Sequence, residues 1–136
     1  MRLPFIQYAL LLAALFALPA VAAAQDLPVD LELVLAVDVS ASIDGAETDL
    51  QRAGYLAALA DPNVVAAMMS GPFGRIAVTY VEWAEFQRTL VDWTLIDSAA
   101  TATAFAAALA ARPTLQGETT VISSAIDHAA GRFDGN

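Results

Sequence analysis

From Leu31 to Val37 the chain is apolar at nearly every position rather than at every second one. A strand reads that way when helices cover both faces of its sheet, so this segment is predicted to be a central, parallel strand. A polar stretch follows, and Asp44 with Glu47 three residues later forms a capping-box pattern ahead of Ala53 to Ala60, where no charge occurs. The pattern predicts a helix from about Gly45 to Ala60 lying on the sheet. Gly54 costs such a helix about 1 kcal/mol relative to alanine, which suggests a close helix-to-sheet approach there. Asp61-Pro62 restarts the chain as a second, short helix with Asp61 as cap and Pro62 at its first position, and Ser70-Gly71-Pro72 ends it.

Arg75 to Ala84 is rich in β-branched and aromatic residues, and Arg88 to Ile96 alternates so that Val91, Trp93 and Leu95 share one face. Both segments are predicted strands, the second a half-exposed edge. The link from Glu85 to Gln87 is too short for a crossover helix, so the two should form an antiparallel hairpin. Asp97 or Ser98 then caps an alanine-rich helix to about Ala111, stopped by Pro113; a loop, "TLQGETT", leads to a last helix from about Val121 to Phe133. This order predicts an α/β fold: a doubly wound, mostly parallel sheet with helices on both faces and one antiparallel edge strand. A central strand needs a neighbour on each side, and an open apolar edge is an aggregation hazard. The missing strands are therefore expected beyond Asn136, which makes the chain the N-terminal part of its domain.

Composition narrows the function classes. The chain has 136 residues, a formal net charge of -9, and neither cysteine nor lysine, which bounds it to one domain or part of one. An acidic surface with no basic stripe excludes a nucleic-acid partner. The absence of cysteine excludes a disulfide framework, a thiolate metal site and a cysteine nucleophile. At the N-terminus, Met1-Arg2 supplies positive charge, Tyr8 to Leu18 is a short apolar core, Pro19 breaks it, and Ala22 and Ala24 are small residues ahead of Gln25. That is the pattern of a secretory signal peptide, residues 1–24, cut after Ala24, followed by a domain over residues 25–136. The apolar core is shorter than the ~20 residues a membrane-spanning helix needs. Export to the periplasm or outside the cell is expected, with no membrane span after cleavage. Much of the 58% hydrophobic content lies in this leader.

The candidate chemistry sits just past the first strand, where "DVSAS" places Asp38, Ser40 and Ser42 at alternate positions. In extended chain these three side chains project to one side, and ligand sites of open parallel sheets form beyond the carboxyl ends of strands. One carboxylate and two hydroxyls are hard oxygen donors suited to Mg²⁺, Mn²⁺ or Ca²⁺. Three donors do not fill six positions, and "GETTVISSAI" offers Thr119 or Thr120 just before a helix.

These residues resemble the metal-ion-dependent adhesion site of the von Willebrand factor type A (VWA) domain family: Asp-x-Ser-x-Ser at the end of a buried first strand, with a downstream threonine ahead of a helix. By its spacing to Ala125 and Ile126, Thr120 matches the family's threonine. "GRIAVTYVEWA" and "WTLID" further resemble a bacterial group of secreted VWA-like proteins of unknown function. The resemblance implies a binding module and not an enzyme. One divalent cation, Mg²⁺ or else Mn²⁺ or Ca²⁺, would be held by Asp38, Ser40, Ser42 and Thr120, and a Glu or Asp of a protein partner would complete its coordination. The family's further aspartate would fall beyond Asn136.

Other readings of the same residues stand beside this one. Asp38, Ser40 and Ser42 also suit a turn, and a threonine before a helix commonly caps it. A metal-assisted hydrolase or an aspartyl phosphotransferase with Asp38 as nucleophile would use a similar sheet. Haloacid-dehalogenase-like enzymes, however, carry a second aspartate where this chain has Ser40. His128 could join Ser40, Ser123 or Ser124 in a triad, but Asp127 is its helical neighbour and does not face it. No glycine-rich phosphate loop follows the first strand. Tyr80, Trp83, Phe86 and Trp93 are expected in core and edge packing, and Glu82, Glu85, Asp92 and Asp97 on a solvated rim. A VWA-like scaffold without metal is the remaining alternative.

Overall fold

The computed structural model describes residues 27–134, so the expected leader over residues 1–24, its break at Pro19 and the C-terminal Asn136 lie outside the described residues. Three strands and four helices follow in the order β1 (Glu32–Asp38), α1 (Gly45–Ala60), α2 (Pro62–Met68), β2 (Ile76–Trp83), β3 (Gln87–Ile96), α3 (Ala99–Ala110) and α4 (Ile122–Gly131). The helix starts are set locally, as their caps predict. Asp44 and Glu47 form a reciprocal capping box on α1, Asp61 caps α2 with Pro62 behind it, and Ser98 caps α3.

The sheet is mixed, with order β1-β2-β3: β1 runs parallel to β2, and β2 antiparallel to β3. The second neighbour expected beside β1 does not occur among the described residues. Among the described residues β1 pairs with β2 alone and Ala36 is exposed, whereas β2 is buried continuously from Val78 to Glu82. An unbroken apolar run marks burial on two faces, and it does not say which strand has two neighbours.

The core cluster joins Val37 of β1, Ile76, Val78 and Tyr80 of β2 and Leu90, Val91 and Ile96 of β3 to Leu59 of α1, Val65 of α2 and Phe105 and Leu109 of α3. Thr79 and Val81, which alternate with these β2 residues, are buried on the opposite face, and α4 contacts β1 and β3. The regular alternation expected in β3 is interrupted. Register shifts on either side of Tyr80 put Leu90 and Val91 both in the core, while Trp93 turns to Phe133 beyond α4, ring centroids 5.7 Å apart. Gly54 makes no close helix-to-sheet approach: it is exposed, and a Cβ there would meet nothing within 4 Å. Among the described residues no helix is long and apolar enough to cross a membrane.

Glu82 is the largest departure from the expected solvated rim. It is fully buried and paired with Arg52 of α1. Arg52 also donates to the Leu109 and Arg112 carbonyls, at 2.9 and 3.3 Å, and its guanidinium lies 5.4 Å from the Tyr80 ring centroid. Burial pushes the Tyr80 hydroxyl up to about 12, with Arg52 pulling the other way. The second Glu82 oxygen accepts the Leu115 amide at 3.0 Å. One buried ion pair thus ties α1, β2, the end of α3 and the loop after it. The sequence signal was a lone Glu inside an apolar strand, a position that is expensive unless paired.

Candidate functional site

β1 ends at Asp38, and the chain turns at once, with the Ile43 amide donating to the Ser40 carbonyl at 3.0 Å. The three side chains are therefore gathered by a turn and not by continued extension. Asp38 Oδ1 accepts the Ser40 amide at 2.8 Å, an Asx turn that fixes its carboxylate at the strand end. The Ser40 and Ser42 hydroxyls lie 3.0 Å apart.

The α3–α4 loop closes over this turn. Gly117 donates to the Val39 carbonyl at 2.8 Å, and Gln116 Nε2 reaches the Ile43 and Ser40 carbonyls at 3.0 and 3.4 Å. Gly117 is required by space: a Cβ there would sit 2.1 Å from the Ala84 Cβ. From the β2–β3 turn, Glu85 Oε2 accepts the Glu118 and Thr119 amides at 2.9 and 3.0 Å. The Thr119 amide foremost, with Glu85's own amide and that of Glu118, holds this carboxyl below its ordinary 4.5.

Those contacts deliver Thr120, whose hydroxyl donates to Ser40 Oγ at 2.8 Å. Thr120 does not cap α4: the residue at the N-cap is Val121, and no side chain caps that helix. Thr119, in contrast, is held through its backbone amide. The structure thus gathers Ser40, Ser42 and Thr120 into one chain of hydroxyls, with the Asp38 carboxylate hydrogen-bonded to the backbone of its middle member. Ser40 is fully buried, Asp38 half-buried, and Ser42 and Thr120 exposed, which leaves the cluster open to solvent on one side.

One carboxylate and three hydroxyls are hard oxygen donors, the chemistry that Mg²⁺ and Mn²⁺ take. Among the described residues no three His, Cys, Asp or Glu side chains gather into a group able to hold a metal, so any ion here would rest on hydroxyls and water for most of its shell. His128 is half-buried, and its Nε2 has no hydrogen-bond partner among the described residues. Glu85, Gln116 and Gly117, which hold the threonine loop in place, escaped the sequence reading because their partners are backbone groups more than thirty residues away.

The profile of a family described as "Protein of unknown function (DUF1194)" matches residues 28–136. No curated protein matches this sequence. Among solved structures, the chain is similar to the vWF domain of the type V pili tip protein Mfa5 from Porphyromonas gingivalis, at 16% identity and a TM-score of 0.53, over 81% of this chain and 34% of that one. It is also similar to a structure of three N-terminal domains of the same protein, at 15% identity and a TM-score of 0.52, over 79% of this chain and 18% of that one. The chain thus spans a minor part of the length of the structures it matches, and at these identities the likeness concerns the fold.

Proposed function

The chain belongs to the DUF1194 family and folds as a VWA-like domain, and on that premise we propose that it is an exported, metal-dependent protein-binding module and not an enzyme. Asp38, Ser40, Ser42 and Thr120 would hold one divalent cation, Mg²⁺ or else Mn²⁺ or Ca²⁺. Bound there, the ion supplies a local positive charge that lets an acidic protein receive a Glu or Asp from a partner. The chain's own residues do the rest. Asp38 contributes the charge, oriented by the Ser40 amide. Ser40 and Ser42 contribute neutral oxygens, and the Glu85 latch presents the Thr120 hydroxyl.

The observation that carries this reading is the Thr120 to Ser40 hydroxyl contact at 2.8 Å, made across a sequence separation of 80 residues. A turn former or a helix cap has no need of it. Export rests on the leader pattern of residues 1–24. A fold like that of a pilus tip domain is in keeping with a binding role at the cell surface.

Titration of Mn²⁺ into the protein, followed by calorimetry, tests the site. One ion is expected to bind, with affinity falling at least about tenfold in D38A and T120A and unchanged in T119A. Equal affinity in D38A and the unaltered chain overturns the metal reading and leaves a scaffold.

A further inference from the structure

All side-chain cations of this chain other than its single histidine are arginines, six against fifteen acidic residues. Of those in the described region, Arg52 pairs with Glu82, Arg132 pairs with Asp92, and Arg75 donates to the Pro28 carbonyl. Arg88 and Arg112 are exposed, and their guanidinium groups make no hydrogen bond or ion pair among the described residues. Both line one cavity of about 110 Å³. Arg88 stands opposite Glu82 in the β2–β3 ladder, yet it is not neutralised by it, because both Glu82 oxygens are taken by Arg52 and the Leu115 amide.

The two arginines adjoin a second cleft. Arg88 also borders a cavity of about 330 Å³ lined by Phe86, Gln87, Leu115 and Gln116. Gln87 keeps its Nε2 buried with no partner among the described residues, a donor without an acceptor there. Gln116 reaches from this cleft to the Ser40 and Ile43 carbonyls, so the cleft adjoins the turn that carries Ser40 and Ser42.

We infer that the Arg88–Arg112 face, with the Phe86–Leu115 cleft beside it, is a second anchoring surface for an acidic protein segment. The inference rests on the reading of the first site: the segment that brings one carboxylate to Asp38, Ser40, Ser42 and Thr120 lays a further Asp or Glu between Arg88 and Arg112. In a chain of net charge -9, an acidic segment is repelled elsewhere, so two uncommitted cations set its register as well as its affinity. Guanidinium groups suit the task, because they stay charged and grip carboxylates through paired N–H donors. The apolar walls of the adjoining cleft receive the side chain between the two acids.

The test is binding of a fluorescein-labelled octaglutamate peptide to the full chain in Mn²⁺, comparing the unaltered protein with R88Q/R112Q and D38A. The double variant, altered only at exposed positions, is expected to bind the peptide about tenfold more weakly, to lose much of the salt dependence, and to keep its Mn²⁺ affinity. Equal peptide binding by R88Q/R112Q and the unaltered chain, or no binding by the unaltered chain, overturns the anchor. The two readings fail separately. If D38A keeps full Mn²⁺ affinity while R88Q/R112Q still loses the peptide, the metal site falls and the arginine surface stands; if D38A loses Mn²⁺ while R88Q/R112Q changes nothing, the arginine surface alone falls.

Discussion

Thr120 precedes a helix, where a threonine ordinarily caps, yet its hydroxyl turns away from α4 and donates to Ser40. Asp92 shows the opposite case, a residue whose exposure was expected and whose partners were not. Its Oδ1 accepts the Trp93 amide at 2.8 Å and pairs with Arg132, and the Trp93 amide foremost, then Arg132, holds the carboxyl below its ordinary 3.8. A depressed native value means that the unfolded state takes up a proton first as acid is added. The stabilisation is thus fully present above the ordinary value and is lost as pH falls through the native one. Exposure and solvent screening keep it below about 1 kcal/mol. Arg132 also accepts the Trp93 indole N–H at 2.9 Å through its carbonyl, so the clasp has an optical reporter. In a W83F background, Trp93 fluorescence is expected to shift toward that of exposed indole as pH drops below about 3.8, and D92N should show part of that shift at neutral pH.

Among the elements, the loop between α3 and α4 has no regular structure of its own and is held by the parts it touches. Gly117 lies against Ala84 and donates to Val39, Glu85 gathers two amides, and Gln116 reaches the turn after β1. The hairpin turn and the end of β1 thereby form a mould for the segment that ends at Thr120. G117A drives a methyl group into the Ala84 side chain at 2.1 Å, and because Ala84 is fully buried in the hairpin turn, its amide bonded to the Phe86 carbonyl at 2.8 Å, it is the exposed loop that must move. The expected cost is about 1–3 kcal/mol of stability, the range for overpacking a fitted site, read by urea unfolding. Faster hydrogen exchange at the Gly117, Glu118 and Thr119 amides should accompany it. G54A, on an open helix face, should instead stabilise the protein by up to about 1 kcal/mol.

Across the whole molecule the Arg52–Glu82 pair is the joint between layers. It connects a helix, the middle strand of the described sheet and the loop carrying Thr120. Removing one partner leaves a charge buried without compensation, a loss of about 3–5 kcal/mol, whereas replacing both by apolar residues of similar volume is often near neutral. R52M is therefore expected to lower the unfolding free energy by about 3 kcal/mol, a large share of a total of about 5–15 kcal/mol. The double variant R52M/E82L should recover much of that loss in urea unfolding. A double variant no more stable than R52M would mean that the ion pair is not the joint.

Local periodicity and capping chemistry were enough to locate every element to within two or three residues, because a helix start such as Asp44 with Glu47 or Asp61 with Pro62 is decided by neighbours along the chain. The same local reading offered Asp38, Ser40, Ser42 and either Thr119 or Thr120 as candidates, with the resemblance to VWA domains singling out Thr120, and the hairpin followed from a link too short to cross the sheet. It could not say that β2 lies between β1 and β3 in the described sheet, that Glu82 is buried with Arg52, or that the register shifts in β3 bring Leu90 and Val91 both inward. Nor could it supply the grip of Glu85, Gln116 and Gly117 that carries the Thr120 hydroxyl to Ser40. Those outcomes depend on register and packing between segments distant in sequence, where the energy resides in contacts that no single stretch of chain contains.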